Sequence, residues 1–121
     1  MINLKSAEAQ KSYRIRFRVL GGGVAPGDEA KILALSGQQL AQRTPLRVLK
    51  RRADLTRMRS AQLVVRQVEG NEMELDVRAE SGTYIKELVH SDEGRTSPSV
   101  AGVLGKKCEV LWLDVMQVHS Q

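Results

Sequence analysis

From Lys11 to Val19 the chain alternates strictly. Tyr13, Ile15, Phe17 and Val19 fall on one side of an extended backbone, and Arg14, Arg16 and Arg18 fall on the other. A period of two is that of a strand with one buried face. GGGVAPG, Gly21 to Gly27, then interrupts the pattern. Pro26 suits the first turn of a helix, and Asp28 and Glu29 stand where the helix dipole favours acids. A helix over Gly27 to Leu35 is predicted, burying Ile32, Leu33 and Leu35 and ended by Ser36-Gly37. Pro45 favours an extended path at Thr44. Ala61 to Val68 and Glu72 to Ala79 read as two strands joined at Gly70-Asn71, a hairpin signal. Thr83 to His90 reads as a helix that buries Ile85, Leu88 and Val89. A second short helix opens with Ser97 as cap and Pro98 at its first position. It buries Val100, Val103 and Leu104 and ends at Gly105. A last strand runs from Cys108 to Val118. Strands mixed with short helices, and joined by hairpins rather than regular crossovers, predict one α+β domain over residues 1–121. Its sheet should be mainly antiparallel.

Charge adds a location. The net charge is +5, yet the stretch from Arg43 to Arg59 alone holds seven basic residues and one acid, Asp54. A local excess of this kind fits a surface that meets phosphates, and equally a solvated basic face. The 121 residues contain one cysteine, Cys108, so a disulfide framework is excluded, which fits a reducing cytoplasm. MINLKSAEAQ lacks an apolar leader core, and no apolar run reaches membrane-spanning length. A protein in solution in the cytoplasm is therefore expected.

Few residues qualify for chemistry. His90 and His119 are the only histidines, and neither has a partner at metal-ligand spacing, so no metal site is expected. Gly21 to Gly23 lacks the pattern of a phosphate loop. Met58, Met73 and Met116 read as core filling. Lys86 stands apart. A cation in the first turn of a helix is disfavoured by roughly 0.3–1 kcal/mol, and its neighbours Tyr84, Ile85, Leu88 and Val89 are mostly apolar. It is either a lysine whose stem lies along the core rim or the partner of a carboxylate or phosphate. Tyr13 begins the apolar face of its strand. Core packing is its ordinary role, but beside Lys11 and Arg14 its ring has room to stack on a base.

Together these stretches resemble a known family. SGTYIKELVHSDEGRTSPSVAGVLG (Ser81 to Gly105), followed by CEVLWLDVMQV, looks like the C-terminal end of the archaeal and eukaryotic tRNA pseudouridine synthases called the PUS ten family. GTYIK is similar to a catalytic motif that the bacterial T-loop enzymes carry as GTYIR. TPLRVLKRR resembles the family's TPLRVLHRR, with Lys50 where a histidine is usual. KSY at Lys11 to Tyr13 is similar to the family's K-T-Y segment.

The resemblance implies isomerisation of uridine to pseudouridine in the tRNA T-loop, without cofactor or metal. It implies that Tyr13 stacks on the target uracil and that Lys86 pairs with the catalytic aspartate. It also implies that Leu113 packs against the same site. Arg43, Arg47, Lys50, Arg51, Arg52 and Arg95 are the expected contacts to the RNA backbone. One departure stands out. The family's aspartate lies upstream of the tyrosine, in a segment like G-R-E-D-x-D-V-R, and only 12 residues precede Tyr13 here. The nearest look-alike, Asp76-Val77-Arg78, follows the tyrosine, which is the wrong order. The sequence thus reads as the C-terminal part of a catalytic domain, inactive alone and completed by the missing upstream part. The alternative is an RNA-binding module without catalysis. A sheet cut in this way would expose an edge, so self-association is also expected.

Overall fold

The computed structural model describes residues 10–119. Six strands, β1 (Gln10–Val19), β2 (Gln39–Arg43), β3 (Thr56–Glu69), β4 (Glu72–Glu80), β5 (Thr96–Ser97) and β6 (Cys108–His119), form one sheet in the order β5-β2-β3-β4-β1-β6. Every neighbouring pair is antiparallel. Three helices, α1 (Asp28–Leu33), α2 (Ile85–His90) and α3 (Val100–Leu104), complete the α+β domain. A 3-10 turn covers Leu46–Val48.

The alternation of β1 sorts its residues as its sequence predicts. Tyr13, Ile15, Phe17 and Val19 are buried, and they meet Met73, Leu75 and Val77 of β4. The helices pack against this apolar set, which gathers Ile32, Leu88, Val89 and Val100. Helices of five and six residues are too short to stand alone in water. What holds them is burial, worth roughly 1.5–3 kcal/mol for each fully buried large apolar side chain.

The opposite face of β1 is polar, but its charges are already matched. Arg16 donates to Glu72 at 2.7 Å, to Glu69 at 2.6 Å and to Glu74 at 3.3 Å. Arg14 pairs with Asp76 at 2.8 Å and Arg18 with Glu109 at 3.1 Å. These cross-strand pairs account for Asp76, whose carboxylate lies on that outer face in the grip of Arg14.

Several boundaries differ from the expected ones. β3 begins at Thr56, five residues before the predicted strand, because its first residues pair with β2. β2 and β5 were not predicted at all. α1 ends at Leu33, which is 42% exposed rather than buried. Ser97 does not cap α3: it pairs with Ala41 as part of β5, and Ser99 takes the role, its Oγ accepting the Gly102 N–H at 3.0 Å.

The glycine turn before α1 is tied down by a buried carboxylate. Asp28 Oδ2 accepts the Ala25 N–H at 2.8 Å and a Lys106 Nζ proton at 3.0 Å, and Lys106 also donates to the Gly23 carbonyl. The Ala25 N–H first, and the Lys106 ammonium with it, hold the Asp28 carboxyl below the ordinary carboxylate value. A depressed folded-state pKa stabilises the fold above the unfolded value of about 4, and this is lost as pH falls through the folded value. Asp28→Asn should therefore be less stable than the natural chain at pH 7. That gap should close below pH about 4 in urea titrations. A gap of constant size from pH 7 to pH 3 would exclude this role.

Candidate functional site

The turn that leads into α2 is shaped by two features. Gly82 has φ +95°, a conformation that side chains with a Cβ rarely adopt. Tyr84 follows as the residue that caps α2, and Gln42 of β2 clasps its backbone. The Tyr84 N–H donates to Gln42 Oε1 at 3.0 Å, and Gln42 Nε2 donates to the Tyr84 carbonyl at 2.8 Å. A buried glutamine is thereby satisfied, and α2 is fixed to the sheet through a residue 42 positions away.

Within α2, Ile85, Leu88 and Val89 point inward, and Lys86 is exposed. The carboxylate beside it, Glu87, is 1% exposed and is held by Arg47, whose Nε and Nη2 donate at 2.7 and 3.3 Å. The same guanidinium lies 6.0 Å from the centroid of the Tyr84 ring, within cation–π range. Lys86 is left without an ion-pair partner among the described residues.

Tyr13 and Leu113 lie on the same side of the sheet. Leu113 stands opposite Ile15 and packs against the core. Val115 stands opposite Tyr13 in continuous register with Leu113, and a register shift follows between Tyr13 and Ser12, the kind of bulge that re-aims side chains next to a site. Tyr13 is 8% exposed, and burial pushes its phenol above the ordinary value. Val115 is 57% exposed, so the helices leave this end of the face open. α2, which carries Lys86, packs against β6, the strand of Leu113.

The basic stretch divides in two. Arg43 and Arg95 both bind Asp54, each at 2.7 Å, and Arg95 also donates to the Thr44 carbonyl. With Arg47 on Glu87, three of the six expected phosphate contacts are engaged inside the chain. Lys50, Arg51 and Arg52 are exposed, and among the described residues their side chains have no partner.

The sequence matches the family model described as "Pus10, C-terminal" over residues 1–119. The chain belongs to the Pus10 C-terminal family. It is 44% identical over 115 residues to the tRNA pseudouridine synthase Pus10 of Korarchaeum cryptofilum, covering 94% of this chain and 31% of that protein. With the Pus10 of Aeropyrum pernix the identity is 43% over 119 residues, covering 97% of this chain and 27% of the relative. The chain thus spans less than a third of the curated relatives it matches. Its fold is also that of a chain in the crystal structure of a Cbf5-Nop10-Gar1 complex, with TM-score 0.73 and 24% identity over 92% of this chain and 31% of the other. A chain in an archaeal box H/ACA sRNP Nop10-Cbf5 complex superposes with TM-score 0.66 at 18% identity, over 93% of this chain and 29% of the other.

In this Pus10 C-terminal domain one group of residues escapes a reading by sequence. Arg57 and Arg59 sit on β3 at the positions that continue, two residues further on, into the buried Ala61 and Leu63. Extending the predicted strand backwards past Ala61 would have shown them on the inner face. They border a cavity of about 330 Å³ together with Arg52, Leu55, Gly82 and Tyr84. Among the described residues, no His, Cys, Asp and Glu group comes together as a metal site would require. No helix among them is long and apolar enough to cross a membrane.

Proposed function

We propose that this chain forms part of a tRNA pseudouridine synthase that converts a T-loop uridine to pseudouridine in the cytoplasm. The observation that supports the reading is that Tyr13 and Leu113 share the inner face of β1 and β6, and that α2, the helix of Lys86, packs against β6. The names of its Pus10 relatives support the same reaction.

In that reading an aspartate from outside the 121 residues attacks the ribose and breaks the N-glycosidic bond. The uracil turns, its C5 bonds to C1′ of the ribose as the aspartate carboxylate leaves, and C5 gives up its proton while N1 takes one up. The base must leave its stack to be reached. Tyr13, a neutral phenol set among Val77 and Val115, offers a flat ring to the released uracil. Leu113 excludes water beside it. Lys86, free of any competing acid among the described residues, keeps the catalytic carboxylate ionised. Lys50, Arg51 and Arg52 meet the phosphates of the T-arm. Arg43, Arg47 and Arg95 set the shape of that surface through Asp54 and Glu87, and add their remaining charge. The outer edge of β6, with Val115 and Met116 exposed, is the place for self-association.

Affinity for a T-arm RNA should fall steeply as salt rises, because each neutralised phosphate releases counterions. Replacing Arg51 and Arg52 by Ala should lower the slope of log affinity against log salt by about one to two. Filter binding across a salt series reads this. An unchanged slope would move the phosphate contact away from this turn.

A further inference from the structure

We propose that Arg43 and Arg95 form a cradle for one backbone phosphate of the RNA, and that the Asp54 carboxylate fills this cradle until the phosphate replaces it. The proposal rests on the reading of RNA as the partner.

Three observations carry it. First, two guanidinium groups converge on one carboxylate. Arg43 holds Asp54 with both arms of its fork, Nε donating to Oδ1 at 3.0 Å and Nη2 to Oδ2 at 2.7 Å. Arg95 Nη2 donates to Oδ1 at 2.7 Å. A carboxylate and a phosphate present paired oxygens that suit the same planar fork. Two cations here share one negative charge, and Asp92 approaches Arg95 Nε only at 4.0 Å.

Second, the backbone brings the two arginines together, not Asp54. The Arg43 N–H donates to the Arg95 carbonyl at 2.8 Å, just beyond the pairing of Gln42 with Thr96. Arg95 Nε donates to the Thr44 carbonyl at 2.8 Å, and its side chain is 14% exposed. Two like charges held side by side in this way favour an anion between them, whichever anion it is.

Third, Asp54 is free to leave. Its side chain is 36% exposed, so water competes for its ion pairs. The chain on either side of it is anchored separately. Thr44 Oγ1 donates to the Ala53 carbonyl at 2.7 Å and accepts the Leu55 N–H at 2.9 Å. Asp54 can therefore turn its side chain outward while the backbone of the loop stays in place. Glu87, which holds Arg47 from a buried position, has no such exit. Lys50, Arg51 and Arg52 precede Asp54 by two to four residues and have no partner among the described residues. RNA drawn to them arrives beside the cradle. In the sheet, β2 lies three strands from β1, roughly 15 Å at the usual strand spacing. RNA with one base at Tyr13 reaches the cradle by running across the sheet.

The test follows a 5′-fluorescein-labelled T-arm hairpin by fluorescence anisotropy with the 121-residue chain across a salt series. Asp54→Asn keeps the shape of the residue and frees both guanidinium groups. It should tighten binding roughly fivefold at low salt and steepen the slope of log affinity against log salt by about one. Glu29→Gln removes one negative charge from the exposed side of α1 and should change binding far less. Arg43→Ala added to Asp54→Asn should cancel most of the gain. Inorganic phosphate gives a readout that does not involve RNA. In 1H–15N spectra it should shift the Arg43 and Arg95 Nε–H signals of Asp54→Asn at several-fold lower concentration than those of the natural chain. The thermal melt of Asp54→Asn should stay close to that of the natural chain, because Thr44 anchors the loop. If Asp54→Asn binds no more tightly than Glu29→Gln, or phosphate leaves both arginine signals in place, the cradle is excluded while RNA remains the partner. If Asp54→Asn melts like the natural chain but binds more weakly, Asp54 positions the arginines and the proposed replacement is wrong. If the natural chain binds no T-arm RNA at any salt, the reading of RNA as partner fails, and the proposal with it.

Discussion

On the proposed pairing, Lys86→Met should reduce pseudouridine formation by two to three orders of magnitude when assayed in a fusion of this chain to an aspartate-bearing segment of a Pus10 relative. The variant keeps the packing of the stem and removes the charge. On the proposed reading the bound RNA shields the pair from water, so the carboxylate that loses its counterion costs about 3–4 kcal/mol, and each 1.4 kcal/mol is a factor of about ten in rate. Lys86→Arg should retain much of the activity, since the bacterial GTYIR motif carries arginine at this place. A shift in the pH–rate profile separates this role from a structural one. Without the cation the carboxyl pKa rises, so the acid limb should move to higher pH. Stability should hardly respond. Lys86 is exposed and has no ion-pair partner among the described residues, and surface changes of this kind usually stay within about 0.5 kcal/mol. A clear drop in the melting temperature of Lys86→Met would show that the lysine serves the fold, and the catalytic pairing would be withdrawn.

Arg47→Met should do the reverse, costing stability first. Glu87 is 1% exposed, and the two Arg47 bonds are its main compensation. Breaking a fully buried pair typically costs about 3–5 kcal/mol. The Arg47 side chain is 55% exposed, so water reaches the pair and the expected cost is smaller, about 2 kcal/mol. For a domain of this size that lowers Tm by roughly 6–10 °C. The double change Arg47→Met with Glu87→Leu should recover most of the loss, because it removes both charges from the buried site. If the single variant melts like the natural chain yet loses salt-dependent RNA affinity, Arg47 is a phosphate contact and Glu87 needs no partner.

The strands with an apolar face were legible without a structure. In β1 the alternation from Tyr13 to Val19 names the buried residues correctly, and β4 follows the same rule from Met73 to Ala79. The β3–β4 hairpin at Gly70-Asn71 and the helix after GTYIK were legible for the same reason: turn chemistry and apolar period are local properties. Tyr13, Lys86 and Leu113 were singled out only through resemblance to a family, and their roles belong to the proposed function.

Tertiary pairing decided the rest. β2 places Gln42 inward, and this polar residue breaks the apolar pattern that would have announced a strand. Its inward position is tolerated only because Tyr84, far along the chain, satisfies its amide. The first residues of β3 carry Arg57 and Arg59 on the inner face, so they read as a charge run until β2 is seen to pair with them. Ser97 had the sequence of a helix cap and became a strand residue because Ala41 was available to pair with it. The engagement of Arg43, Arg47 and Arg95 by Asp54 and Glu87 likewise depends on contacts across 11 to 41 positions. A cluster of charges in sequence has only a net sign; which of those charges remain free for a ligand is set by the acids that folding brings within hydrogen-bonding distance.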